Sequence, residues 1–399
     1  MLFLTYWFVI FAAFALGLYW VAPHAGGRRL ILLSACAVFH WHFAGPAGVF
    51  PIVVLGVVTW FAGGSRNPKA CLAGIWLCVL ALLFYKYTTF LCQEVLGALW
   101  PSVSSAALDA AQHVLPLAPP LGISFFVFEF VHYLYDVRKG REPIRNPVDF
   151  GIFAIFWPSI VAGPIKRFEQ FVPVLHHGTG NVCEQDVAEG LIRVAAGLVK
   201  KFVADNLAAY LAFWAPRFAD IPLGQRWWIF VAIGLRILLD FSGYSDMAIG
   251  FARMMGIRLP ENFNWPYVAR NISDFWHRWH ISLSSWIRDY IYIPLGGGRR
   301  GVVRRMVNGI IAFGLCGLWH GAAWNFLVWG LYHGLGLVIH ANYRAVVGRF
   351  GQRSFDALGR TKIVPWACTM IFVHVGWLFF FYPVPQACKM LKLLFDFST

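Results

Sequence analysis

Long apolar runs recur along this chain from the N-terminus almost to the C-terminus. Crossing a hydrocarbon core of about 30 Å takes about 20 residues as helix, and runs of that order appear repeatedly. The pattern predicts an all-α, polytopic integral membrane protein. The ten-residue alternating pattern of an outer-membrane barrel is missing, and so is a soluble domain with its own polar surface. The first run, LTYWFVIFAAFALGLYWVA from Leu4 to Ala22, lacks a basic n-region, carries several bulky aromatics and is followed by further spans. It reads as a retained helix rather than a signal peptide. Another strong run, near Ile363 to Tyr382, predicts a last span. Up to about residue 135 the runs are nearly free of charge; from 136 to 310 they are shorter and interrupted by Pro, Gly, Arg, Asp and His. Ionisable groups and broken helices at membrane depth survive only where protein covers them or where they line a wet cavity, so the chemistry is sought in that middle section. The chain therefore reads as one transmembrane domain over 1–399, with N-terminal spans to 135, a core of re-entrant or interfacial helices over 136–310 and C-terminal spans over 311–399.

Composition strengthens this picture. Hydrophobic residues make up 59% of the 399 and charged residues 13%, against about a quarter charged in soluble chains. Basic residues sit at alternate connections: Arg28 and Arg29, then Arg66 and Lys69, then none between Lys86 and Arg138, then Arg138, Lys139, Arg141 and Arg145. By the positive-inside rule the N-terminus faces out, as does the connection from Gln93 to Pro119, while Arg344, Arg349, Arg353, Arg360 and Lys362 face the cytoplasm. The net charge of +14 is mostly topological, and without a recognisable binding module it does not point to nucleic acid. Cys36, Cys71, Cys78, Cys92, Cys316 and Cys368 lie in or beside apolar runs with no CxxC or Cys/His spacing. They read as buried small residues rather than a zinc site or a disulfide framework.

Candidate chemistry falls in four stretches. In LGISFFVFEFVHYLYDV, Leu121 to Val137, Glu129, His132 and Asp136 share one helical face. A helix packed inward with Asp136 at headgroup level and a proton or substrate path both fit it. In VAGPIKRFEQF, Gly163 and Pro164 break a helix before Lys166 and Arg167, a basic turn suited either to a phosphate or to lipid headgroups; GLVKKFVADNLA, Gly197 to Ala208, is a further basic stretch. The densest stretch, Leu238 to Gly301, mixes Asp240, Asp246, Asn262, Asp274, His277, His280, Arg288 and Asp289 with four tryptophans, a composition suited to an interfacial or re-entrant element rather than a span. His277 and His280 are three apart, but no third metal ligand stands at a recognised spacing and HExxH is missing. GGGRRG lacks the P-loop pattern, and there is no GxSxG serine elbow. Finally LCGLWHGAAWNF places one imidazole, His320, in a run otherwise apolar or small. His333 lies 13 residues on, about 20 Å along an uninterrupted helix, too far to share its site.

The string FSGYSDMAIGFARMMGIRLPENFNWPYVARNISDFWHRWHISLSSWIRDYIYIPLGGGRRG, followed by LWHGAAWNFLVWGLYHG, resembles the membrane-bound O-acyltransferase family. The likeness is strongest to its bacterial branch of alginate O-acetylases and teichoic-acid D-alanylation acyltransferases. LGISFFVFEFVHYLYDVRKG, AGPIKRF and GLVKKFVADNLA resemble the same branch in the same order, and the likeness covers about residues 1 to 385. It implies about eleven membrane-embedded helices around a central funnel or tunnel. An acyl group, acetyl above all, would pass from a cytoplasmic thioester, acetyl-CoA or an acyl carrier protein, to an envelope polymer on the far side, with no tightly bound cofactor or metal. The histidine of the family's WHG motif falls on His320 and that of its RWH motif on His280. Glu129, Asp246, Trp319 and Asn325 become candidates for the tunnel lining. Two departures stand out: the chain stops soon after GWLFFFYP, and Glu129 stands where an uncharged polar residue is expected.

Residue chemistry agrees. O-acyl transfer needs a group that takes the proton of the attacking hydroxyl, and neutral imidazole does so near neutral pH. A histidine hydrogen-bonded between helices is the plainer account of a lone intramembrane imidazole. His280 would orient or polarise the donor carbonyl. Arg288, Arg299 and Arg300, with Lys166 and Arg167, are candidates for the donor's phosphates, although a positive-inside loop gives the same pattern. The expected setting is a bacterial cytoplasmic membrane, among membrane lipids and beside a separate periplasmic or extracellular acyltransferase partner that completes delivery. A transporter or flippase would show two similar halves, which are not found. A scaffold subunit without chemistry of its own is the other alternative.

Overall fold

The computed structural model describes residues 2–113, 115 and 119–396, and of residues 112 and 344–360 the backbone only. Among the described residues the chain is helix and turn, with no strand. Fifteen helices are numbered here: α1 Tyr6–Val21, α2 Ala25–Gly64, α3 Pro68–Leu99, α4 Pro101–Gln112, α5 Ile123–Arg138, α6 Pro147–Ile155, α7 Phe168–Asn181, α8 Glu184–Trp214, α9 Leu223–Met254, α10 Ile272–Arg278, α11 Ile281–Ile287, α12 Val302–His320, α13 Trp324–Arg360, α14 Ile363–Phe381 and α15 Val384–Leu393. Of these, α2, α3, α9, α12 and α14 are long and apolar enough to cross a membrane. Local chemistry sets several starts. Thr5, Asn67, Asn146 and Asn271 each accept a backbone N–H of the first turn through a side-chain oxygen, and Pro68 and Pro147 open α3 and α6.

The chain forms two compact units, Met1–Ala196 with Ser245–Pro260, and Gly197–Tyr244 with Glu261–Thr399, so α8 and α9 each pass from one unit into the other. In the first unit, Phe3, Phe8, Phe39, Trp157 and Phe251 form one aromatic cluster. The end of α9 is tied to α1 by hydrogen bonds from Tyr19 Oη to the Met255 carbonyl (2.7 Å) and from Trp20 Nε1 to the Met254 carbonyl (2.9 Å). Charges here are paired: Arg193 with Asp246 at 2.7 Å, and Arg253 with Asp186 and Glu189 at 2.9 and 2.6 Å.

In the second unit α12 and α13 pack as a tight hairpin. A Cβ on Gly317 would lie 2.1 Å from the Phe326 carbonyl oxygen, and one on Gly330 would lie 2.2 Å from that of Phe313. Only glycine lets the two backbones touch there, the small-residue contact typical of helices in lipid. Tyr267 donates to the Gly234 carbonyl (2.6 Å) and accepts from Trp377 Nε1 (2.9 Å), joining α9 and α14 to the loop before α10.

Leu238 to Met254 does not behave as its composition suggested. It is the second half of α9, a regular 32-residue helix, and only beyond it does the chain break into the short helices α10 and α11. Its charged positions are tolerated because Asp246 meets Arg193 and Asp240 meets Lys201 (2.8 Å), both on α8. Cys368 also differs from expectation: it is exposed, whereas Cys36, Cys71, Cys78, Cys92 and Cys316 are buried. Of the basic cluster near the C-terminus, the side chains of Arg344, Arg349, Arg353 and Arg360 lie outside the described residues, as do positions 114 and 116–118 of the connection before α5.

Candidate active site

His320 is the last residue of α12 and is half-buried. Its ring is met nearly edge to face by three others: Trp319 at 4.8 Å, Trp329 of α13 at 5.0 Å and Phe380 of α14 at 5.0 Å between centroids. Residues 321–323 interrupt the helix before α13 begins, so the chain turns back on itself. That reversal corrects the expected distance to His333. Its ring lies 5.1 Å from Trp329, which itself touches His320, so the two imidazoles are separated by one indole. Asn325, a lining candidate, donates to the carbonyls of Phe379 and Phe380 at 3.2 and 3.4 Å and thereby fixes the end of α14. It positions Phe380 against His320.

His280 precedes α11 in a left-handed conformation, φ 43° and ψ 56°. A non-glycine residue held there stores about 1–3 kcal/mol of strain that its surroundings must over-determine. The surroundings are Asn262, which takes over capping of α11. Its backbone carbonyl accepts from Ile281 N at 3.0 Å, and its Oδ1 accepts from Ser282 Oγ at 2.6 Å. Because Asn262 caps the helix, the His280 side chain is not needed for it. His280 is 1% exposed and neither ring nitrogen has a hydrogen-bond partner among the described residues. The ring packs against Phe241 at 4.6 Å and Trp319 at 6.1 Å. Trp319 thus touches both histidines. His277, by contrast, is exposed on α10 with Nδ1 at the Ser273 carbonyl, so it does not share a face with His280.

A cleft of about 430 Å³ in the second unit runs along the same face of α12, lined in succession by Arg305, Gly309, Ala312 and Cys316. Cys316 is one helical turn before His320, and Arg305 is about 20 Å from it along the axis. The far walls come from Trp276, Leu283 and Ile287. Arg288 and Arg305 mark the polar end, where Arg288 is paired with Asp289 and Arg305 donates to Asn342 at 2.7 Å. Arg299 and Arg300 are exposed in the glycine turn before α12, which Asn308 pins by donating to the carbonyls of Leu295 and Gly297.

The candidates in the first unit have other duties. Lys166 is 2% exposed, ringed by Phe153, Phe156 and Phe171, and its ammonium is 2.5 Å from the buried Glu129 carboxylate. This sealed pair is a correction to Lys166 as a phosphate ligand, and it accounts for the carboxylate at 129. Arg167 is half-buried beside it, and Asp246 is held by Arg193. Breaking the pair leaves one uncompensated charge, for which about 3–5 kcal/mol is typical. Lys166→Met is therefore expected to lower the thermal unfolding midpoint in detergent sharply, and Glu129→Gln with Lys166→Met to recover most of the loss.

The model of the family described as MBOAT, membrane-bound O-acyltransferase, matches residues 123–384, which hold both histidines and the cleft. The chain belongs to the membrane-bound O-acyltransferase family. It is a multi-pass membrane acyltransferase. Among curated relatives, "Probable alginate O-acetylase AlgI" of Azotobacter vinelandii is 38% identical over 93% of this chain and 73% of its own. "Peptidoglycan O-acetyltransferase" of Helicobacter pylori is 34% identical over 76% of this chain and 60% of its own. "Teichoic acid D-alanyltransferase" of Bacillus subtilis is 30% identical over 66% and 72%. Of the residues around the acyltransferase's histidines, sequence reasoning missed Arg305, Trp329 and Phe380, and it named Asn262 only as one polar residue of the densest stretch. For Asn262 the signal was present in the sequence, as an Asn–Phe–Asn turn shortly before two histidines.

Proposed function

We propose that this protein transfers an acetyl group from a cytoplasmic thioester donor, acetyl-CoA or an acetyl carrier, to a hydroxyl beyond a bacterial cytoplasmic membrane, serving O-acetylation of an alginate-like envelope polysaccharide. His320 is the general base. The acceptor oxygen bonds to the thioester carbonyl carbon as its proton passes to the His320 ring. His280 polarises the carbonyl oxygen while charge develops there. The carbon–sulfur bond then breaks and the proton returns to the departing thiolate, leaving a thiol and an O-ester. The place of His320 at the C-terminal end of α12 favours the imidazolium formed between these steps, through the helix dipole.

The observation that carries this reading is the shared indole: His280 and His320, from separate elements, both pack on Trp319, and His320 stands one helical turn beyond Cys316, the residue of α12 that lines the cleft farthest from Arg305. A thioester on a long arm fits that layout, with its phosphates at the arginines and its carbonyl drawn toward the histidines. Basic residues at 299, 300, 304 and 305 put the cleft mouth in the cytoplasm by the positive-inside rule, and alternation of the earlier basic connections puts the N-terminus outside. A separate exported acyltransferase completes delivery to the polymer in this scheme.

Proteoliposomes test the direction. With labelled acetyl-CoA sealed on the side of Arg299 and Arg300, and alginate plus the exported partner on the other, labelled O-ester is expected to accumulate on the acceptor side. Label confined to the donor side, or full transfer without the partner, overturns the corresponding part of the scheme. Mass spectrometry of envelope polysaccharides from cells with and without the gene identifies the acceptor.

A further inference from the structure

In the first unit one imidazole is buried without a purpose in the fold. His40, on α2, is 2% exposed, and neither ring nitrogen has a hydrogen-bond partner among the described residues. Leaving a buried polar group unsatisfied costs about 1–3 kcal/mol, so the position calls for a partner from outside the chain. His40 lines a groove of about 410 Å³ whose other lining residues are all uncharged and almost all apolar, with Phe130 of α5 and Phe150 of α6 at its back. Its rim, Trp41, Val53, Val57 and Phe61, is exposed on helix faces that meet lipid.

The path of α2 explains the shape. Straight, its 40 residues would reach about 60 Å, twice the hydrocarbon thickness. At Gly45 the backbone leaves helical geometry, φ 64° and ψ 174°, and Pro46 follows. Arg28 and Arg29 near the start and Arg66 after the end put both ends on the basic side of the membrane and the bend at the opposite face. His40 is five residues before the bend, about 8 Å, which sets it close to the interface where lipid ester groups lie. From Val49 to Phe61 the groove follows the second arm for about 18 Å, close to the depth of one leaflet's hydrocarbon. Water is a poor occupant because the walls offer it no other polar partner.

We propose that this groove binds a bilayer glycerophospholipid, one acyl chain lying along the second arm of α2 and the His40 ring N–H donating to an ester carbonyl. The site is independent of His320 and of the acyl-transfer reading. The probe is a phosphatidylethanolamine carrying a diazirine midway along one chain, presented to the full protein in nanodiscs. After irradiation, label on Val53 and Val57 is expected to exceed that on the more exposed Ile10 and Phe14 of α1 at least fivefold, and to fall with excess unlabelled phospholipid. Gly56→Trp, where an added Cβ meets nothing closer than Phe130 at 3.6 Å, fills the groove and should cut labelling at least fivefold. His40→Leu should cut it severalfold for the phospholipid and leave a diazirine hydrocarbon without an ester unaffected. Labelling equal to that of α1, labelling that does not saturate, or a His40→Leu protein indistinguishable from the wild type overturns the proposal. So does stronger labelling by the ester-free probe. Should Gly56→Trp fail to purify, saturation on the unaltered protein and the His40→Leu comparison decide between these outcomes.

Discussion

His320→Gln is expected to lower the rate of acetyl transfer about 10²–10⁴-fold, the range a positioned general base supplies, while leaving the donor KM nearly unchanged. Glutamine keeps a polar group of similar length among Trp319, Trp329 and Phe380 but cannot take up the hydroxyl proton. In the proposed scheme the donor's phosphates sit at Arg288 and Arg305, the latter some 20 Å away along α12, so its affinity would not depend on the ring. Transfer in proteoliposomes, with the protein amount checked by immunoblot, measures the split. A loss confined to KM, or full transfer by the variant, removes His320 from the chemistry and returns the motif to a packing role.

The second large effect concerns His280. Asparagine tolerates the left-handed conformation at least as well as histidine, so His280→Asn should leave the thermal midpoint unchanged or slightly raised. Under the proposed mechanism the same change removes the group that polarises the carbonyl, for which losses of about 10²–10³ are typical. Stability kept and activity lost is the signature of a strained residue held for function. If activity falls only in step with the unfolding midpoint, the ring is a filler between Phe241 and Trp319.

The last span and the retained first helix could be read directly, since α14 and α1 follow the apolar runs within two residues. His320 and His280 stood out through the motifs around them, and the structure brings both rings onto Trp319. Other features depended on partners far along the chain. The helical state of Leu238 to Met254 rests on ion pairs with Arg193 and Lys201, 53 and 39 residues earlier, and no local pattern reports such pairing. Likewise Lys166 read as a basic donor in a turn because it follows the Gly163–Pro164 break and precedes Arg167; only the fold encloses it with Glu129 and three phenylalanines. The rings that surround His320 arrive from α13 and α14, and their meeting follows from the turn at 321–323 rather than from spacing along one helix.

The hairpin of α12 and α13 is joined main chain to main chain where Gly317 faces Gly330. The backbone spacing beneath His320 and Trp329 is therefore set without intervening side chains. When the surrounding bilayer is thinner or thicker than the hydrophobic belt, helices respond by tilting, among other adjustments, and the interlocked backbones of this pair favour tilting together over sliding. Under the proposed mechanism, the spacing around His320 would then change little with lipid chain length, which transfer rates in bilayers of different thickness would report.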